Sequence, residues 1–287
     1  MSAYSQPLAP PAGLAALPSA AAIKVRHMDF EFDDAVPEFW YAGDPFRTMA
    51  LTALSAVFPE GERFFIDVIR EHQSQVVDPE LRAAIRGFIG QEAHHAKEHT
   101  TLNNLMARKG YPMAILGRRA AFGLGLMRRY LSKPRQLATT AALEHFTATL
   151  AEYYLSHPEE FRAMDPGIVK IWAWHAVEEY EHKDVAFDVF QATVGNTWLR
   201  RSQMALTTLE FALTYCWHFM TLMRRSGHLG DIRMWARGIN YFWGRPGVFR
   251  RLLPAYFRYY KKTFHPSQGH NQAALAAIKL EYLNEAS

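Results

Sequence analysis

The sequence predicts an all-α protein, and three observations carry that expectation. From Pro45 onward apolar residues recur three and four positions apart, with almost none of the alternation of a half-buried strand. Proline and glycine fall between these stretches at helix-length intervals. In two stretches a glutamate stands three residues before a histidine, which places each pair on one helical face. With 287 residues, 49% hydrophobic and 14% aromatic, the chain is large enough to bury a core.

The first 22 residues are rich in Ala and Pro and lack a basic start followed by an uninterrupted apolar run, so they read as a flexible tail rather than a signal peptide. Ile23 to Phe32 alternates loosely and suits a short extended arm. Nine helices follow, at roughly 46–75, 79–108, 113–131, 134–156, 166–194, 197–225, 229–242, 246–263 and 269–284. Asp78-Pro79 and Asp165-Pro166 each pair an N-cap residue with proline in the first turn. The expectation is a single helical domain over 23–287, with a bundle at 46–194 and apolar C-terminal helices at 197–287.

Composition narrows the function. The formal charge is +4, carried largely by arginine pairs scattered along the chain. No nucleic-acid-reading motif accompanies them, so nucleic acid is not expected as a partner. The lone Cys216 cannot form an internal disulfide and sits in an apolar run, where it reads as a small buried hydrophobe. No Gly-x-Ser-x-Gly, P-loop or Gly-x-Gly-x-x-Gly occurs. The stretch 202–223 is long enough for a membrane span, but Gln203, Glu210 and His218 interrupt it. A buried core helix is the preferred reading, with membrane association through 202–223 as the alternative. The location expected is cytoplasmic, at a membrane surface if that alternative holds.

The chemistry lies in two segments. Gln91-Glu92-Ala93-His94-His95 and Glu178-Glu179-Tyr180-Glu181-His182 each contain Glu-x-x-His, so Glu92 with His95 and Glu179 with His182 can each offer a carboxylate and an imidazole to one metal ion. A site for two ions of this class also draws one glutamate from each of two further helices. Glu62 precedes the first motif and Glu144 the second, both in apolar surroundings where an unpaired carboxylate is costly. The order Glu62, Glu92/His95, Glu144, Glu179/His182 repeats one pattern twice, and 113–131 can cross between the halves. This arrangement resembles the ferritin-like di-iron carboxylate superfamily, so the expected fold is a ferritin-like four-helix bundle with a crossover helix and additional C-terminal helices.

Some assignments stay open. Glu60 competes with Glu62, and Gly61 hints at an irregular turn between them. Glu178 competes with Glu179. His99 and His175, one turn from His95 and Glu179, could add nitrogen ligands or support the site from behind. His145 follows Glu144, Asp184 could orient a ligand imidazole, and Tyr180 reads as structural.

The strings FPEGERFF, QEAHHAKEH, ALEHFTA and WHAVEEYEHKDVAFDV together resemble the bacterial family catalogued as "predicted metal-dependent hydrolase", over roughly residues 25 to 270. The resemblance implies a helical fold with a metal site at Glu62, Glu92, His95, Glu144, Glu179 and His182. The Glu-Glu-x-x-His form of the second block is also similar to that of the soluble acyl-carrier desaturases, with Gln91 departing from it in the first block. Mixed carboxylate and imidazole ligands suit two metal ions, iron first, with manganese or zinc as alternatives. The preferred function is an oxygen-activating di-iron oxidase or oxygenase acting on a small apolar or lipid-like substrate. A di-metal hydrolase is the alternative, and a non-catalytic iron-binding ferritin-like protein the further one.

Overall fold

The computed structural model describes residues 23–268 and 271–285, and the expected tail at 1–22 lies outside them. Among the described residues the chain forms α-helices and no strand, with one isolated bridge between Tyr41 and Met164. The all-α expectation therefore holds. The helices are α1 (Pro45–Ser55), α2 (Phe58–His72), α3 (Pro79–Arg108), α4 (Met113–Tyr130), α5 (Lys133–Leu155), α6 (Pro158–Arg162), α7 (Val169–His182), α8 (Val185–Thr193), α9 (Thr197–Arg225), α10 (Ile232–Trp243), α11 (Val248–Arg258) and α12 (Gln272–Leu283).

Several begin on the caps the sequence supplies. Asp44 accepts from the Arg47 N–H ahead of α1, and Asp78 accepts from the Glu80 N–H ahead of α3, each with proline in the first turn. Asn196, Asp231 and Asn271 cap α9, α10 and α12 in the same way. Each such cap satisfies a backbone donor that the helix leaves unpaired, worth about 1 kcal/mol.

Two expected helices are divided. The segment 46–75 breaks at Ala56-Val57 because Pro59 in the first turn of α2 has no N–H to give and its ring excludes the preceding carbonyl. Gly61 lies within continuous α2, so no irregular turn separates Glu60 from Glu62. The segment 166–194 becomes α7 and α8, parted at Lys183-Asp184 directly after His182, with no proline or glycine at the break.

α3 runs back along α2, so Phe58 meets His99 at one end while Ile69 packs in one cluster with Ile85 at the other. α7 and α8 run back along α5 in the same way: Tyr154 shares a cavity wall with Trp172, and Ala138 packs in one cluster with Val189. α2 also packs on α5, and α3 on α7 and α8, so the four layers close around a common interior. The interior is apolar at both ends. One cluster contains Met49, Leu102 and Trp172, the other Phe64, Val68, Phe88 and Phe190. Glu62, Glu92, His95, Glu144, His175, Glu179 and His182 lie between them. α4 occupies the expected crossover position and packs on the outside of α2 and α3.

The arm at 23–32 lies along α3 without regular secondary structure. It approaches so closely that a side chain at Gly87 or Gly90 would collide with Ile23 or Val25. α9 packs against α1 and α5. It is not a core helix: Met204, His218 and Leu222 are buried, while Leu209 and Leu213 on the opposite side are exposed. Among the described residues no helix is long and apolar enough to cross a membrane. Cys216 is exposed on α9, contrary to the buried reading, because the apolar run around it faces outward on that side.

Candidate metal centre

Seven side chains converge between the two apolar clusters. Glu62 comes from α2, Glu92 and His95 from α3, Glu144 from α5, and His175, Glu179 and His182 from α7, and all are buried. Their ligand atoms form three overlapping groups, each within 4.8 Å: Glu92, Glu144 and His182; Glu92, His95 and Glu179; and Glu62, His95 and His175. Each group has the residue types and spacing to hold a metal ion.

The contacts inside the cluster are short. His182 Nε2 lies 3.1 Å from Glu92, 3.4 Å from Glu144 and 3.6 Å from Glu179. His95 Nδ1 lies 3.6 Å from Glu92 and 3.7 Å from Glu179. Yet both carboxylate oxygens of Glu62, Glu92 and Glu144, one of Glu179, His95 Nδ1 and His182 Nε2 find no hydrogen bond with proper geometry among the described residues. Four buried carboxylates with seven of their eight oxygens unsatisfied are costly unless cations share the space.

The outward-facing atoms, by contrast, are well held. His95 Nε2–H donates to Glu178 at 3.1 Å, and His182 Nδ1–H donates to Gln91 at 2.8 Å. Such anchoring of the far nitrogen is what orients an imidazole toward a metal. A relay also fixes His175. The Ser55 hydroxyl donates to Asn103 at 2.8 Å, so His99 Nδ1–H must donate to Ser55 at 3.0 Å. His99 Nε2 then accepts from His175 Nδ1–H at 2.7 Å. That leaves His175 Nε2 as a bare lone pair 3.0 Å from the Glu179 carboxylate. Two acceptors at this distance require a cation between them.

The electrostatics follow from burial and mutual repulsion. Burial, with the Glu92 carboxylate behind it, pushes Glu62 well above the usual carboxylate range and Glu144 up to about 8. Burial opposes charge on His95, yet Glu178 and Glu92 push it up to about 10. His182 is likewise raised against burial by Glu144, Glu179 and Glu92. Burial and the neighbouring imidazoles lower both His99 and His175, which keeps the relay neutral. As side chains alone, the cluster would have to gather protons to stand in for missing positive charge. The donor set fits divalent ions, which supply that charge directly.

The structure separates the residues the sequence left open. Glu62 enters the cluster, whereas Glu60 forms an exposed ion pair with Arg63. Glu179 enters it, whereas Glu178 stands behind His95 and pairs with Arg26 at 3.1 Å. His175 enters it and His99 stands behind His175. His145 turns away to the Ala255 carbonyl at 3.1 Å. Asp184 faces His265 at 4.0 Å, and Gln91 holds the His182 imidazole. Tyr180 takes a hydrogen bond from the Asn271 N–H, in keeping with a structural role.

Three contributors carried no motif. Arg26, from the arm, bridges Glu178, Glu181 and Glu285. Ser55 and Asn103 end the imidazole relay. Asn103 stands one turn beyond His99 on α3, and that spacing was the one signal available.

The family model for "predicted metal-dependent hydrolase" matches residues 24–270. The chain belongs to this family. Its matched span includes all seven clustered residues. No curated protein and no solved structure matches the chain.

A cavity of about 580 Å³ reaches the cluster at Glu62 and Glu179. Its walls are largely apolar, with Leu54, Phe58 and Phe65 near the cluster and Phe146, Phe211 and Tyr256 farther out. A smaller cavity of about 30 Å³, bounded by Phe58, Leu150, Phe161, Met164 and Trp172, touches His175 and Glu179.

Proposed function

We propose that this protein is an enzyme that holds two transition-metal ions, iron by preference with manganese as the substitute, and uses dioxygen to oxidise an apolar, lipid-like substrate; zinc, which has no redox chemistry, would serve only the hydrolytic reading below. One position would be Glu92, Glu144 and His182, and the other Glu62, His95 and His175, with Glu179 beside both. The bundle around them would be of the ferritin-like type. When bound, such ions supply the electrons passed to dioxygen, and an external reductant restores them.

The observation that carries this reading is the large cavity, whose apolar walls end on Glu62 and Glu179. Its volume lies in the range of sites for small organic ligands. Phe58 and Phe65 would hold an alkyl chain against the cluster and exclude water from it. The small cavity behind Glu179 supports the same reading. It has room for a diatomic gas or a water molecule or two beside His175 and Glu179. Glu178 and Gln91 would keep the two imidazoles aligned through turnover, and the Ser55–His99 relay would hold the His175 lone pair toward the cluster.

The family description favours a second reading, hydrolysis by metal-activated water in the same site. Oxygen uptake separates the two. Protein loaded with ferrous iron, supplied with reductant and a long-chain substrate, is expected to consume dioxygen and yield an oxidised chain. Product formed under strict anaerobiosis with zinc or manganese would replace oxidation with hydrolysis.

A further inference from the structure

Charge is unevenly shared along this chain. α4, α9, α10 and α11 carry four, four, two and three arginines respectively, and one acidic residue, Glu210. The whole chain has a formal charge of only +4, so the remainder is net negative. The same four helices expose apolar side chains. On α9, Leu206, Leu209, Leu213, Trp217 and Met220 are spaced three and four apart and form one outward stripe over about four turns. Leu209 is 61% and Leu213 65% exposed, far more than a core-facing stripe allows.

The neighbouring helices extend this surface. The Arg119 guanidinium of α4 stacks on Trp217 at 4.2 Å, and both residues are exposed. Phe122 and Leu126 continue outward along α4. On the other flank of α9, Trp243 at the end of α10 and Leu253 midway along α11 are exposed. The large cavity reaches this surface on both sides of α9, at Arg119 and Gly123 on one and at Ala212, Trp243 and Leu253 on the other. The apolar stripe thus runs between the two openings of the cavity that reaches Glu62 and Glu179.

We propose that this face docks on an anionic lipid bilayer, with the α9 stripe seated at headgroup level and the arginines on the lipid phosphates. Arg118, Arg129, Arg224, Arg225, Arg233 and Arg237 are exposed on these helices. A second copy of the chain would bring these like charges together, whereas anionic headgroups neutralise them. An amphipathic surface with arginine on its rim and Leu, Trp and Phe at its centre has the composition of an interfacial rather than a spanning element. A lipid-like substrate could then pass from the bilayer to the cavity without crossing water. That entry rests on the proposed function; docking rests on the surface alone.

Co-sedimentation of the full chain with vesicles tests the proposal. The chain is expected to bind equimolar phosphatidylglycerol–phosphatidylcholine vesicles, bind pure phosphatidylcholine at least about tenfold more weakly, and detach as salt rises. The double variant Leu209→Glu/Leu213→Glu, at exposed positions away from the cluster, should lose at least about tenfold in binding and keep its metal content and helicity. Arg118→Glu/Arg119→Glu should weaken anionic binding by a similar factor. Equal binding to both vesicle types, or binding unchanged by both variants, overturns the proposal. So does a stable dimer that Leu209→Glu/Leu213→Glu converts to monomer, which would make the face a subunit interface. None of these readouts uses turnover, so loss of the enzymatic reading leaves them intact.

Discussion

The two Glu-x-x-His helices use one device with different charge. On α3 the residue before the glutamate is Gln91, and on α7 it is Glu178. Each reaches across the bundle to the imidazole of the other helix, Gln91 to His182 and Glu178 to His95. Gln91 is neutral and is held by the Lys24 carbonyl and Glu181. Glu178 is paired with buried Arg26. The extra imidazoles differ too. His175 on α7 turns into the cluster, while His99 on α3 stands behind it and fixes the tautomer of His175. The difference teaches that matched spacing does not make matched positions: one imidazole leans on a carboxylate, the other on an amide, and only one position gains a second nitrogen.

Removing a carboxylate that borders both halves should erase the comparison altogether. Glu179→Ala is expected to cost more than about 100-fold in metal affinity, beyond the range of outer supports, as read by metal content after dialysis against a chelator. Glu92→Ala should behave alike, since Glu92 contributes to two of the three groups. Retention of full metal content by either would place the ions elsewhere.

Exchanging the supports should reveal their asymmetry. Glu178→Gln keeps the shape but removes the charge opposite His95 and leaves buried Arg26 with less compensation. Metal affinity is expected to fall roughly 10–100-fold and stability to drop with it. Gln91→Glu would make the halves alike in sequence. It places a carboxylate beside Glu181 with no added cation, so a lower melting temperature is expected instead of a gain. Equal tolerance of the two changes would mean that charge behind the imidazoles is immaterial.

A milder loss is expected from the relay. His99→Phe retains bulk but frees the His175 tautomer, and should weaken metal binding about tenfold. Its effect should be absent in a chain already carrying His175→Ala, which a double-mutant cycle would register.

The smallest effect concerns the arm. The Arg26 guanidinium, with Lys24 beside it, pulls Glu285 from the usual 4.5 down to about 2. A carboxylate whose pKa is depressed by folding contributes stability above its ordinary pKa, and that contribution is lost as pH falls toward its folded value. Thermal denaturation of Glu285→Gln should therefore show a small deficit above pH 4.5 that vanishes by about pH 2. Glu285 is partly exposed, so the deficit is expected to be slight.

The helical fold was legible because its signals are local. Apolar spacing, Asp78-Pro79 and the glycine breaks each act within a few residues. The split at Ala56-Val57 was also written locally, in Pro59, but lay inside an otherwise continuous apolar pattern. The break after His182 left no mark, since Lys183 and Asp184 are ordinary helix residues. Within the cluster, three-residue spacing was sufficient to single out Glu92, His95 and His182. It could not choose between Glu178 and Glu179, because adjacent positions differ by about 100° around the helix and the bundle axis decides which faces inward. Arg26 lies 152 residues from Glu178, so no periodicity could have joined them. The apolar run at 202–223 misled for a related reason. Hydrophobicity records what a helix could bury, and here one face packs on α1 and α5 while the other stays exposed.

Anomalous scattering from crystals of protein produced with iron and manganese supplied, paired with metal analysis of the same preparation, addresses the central claim most directly. The account predicts two ions per chain, one among Glu92, Glu144 and His182 and one among Glu62, His95 and His175. A chain that binds no transition metal, or anomalous peaks that lie away from these seven side chains, would contradict it.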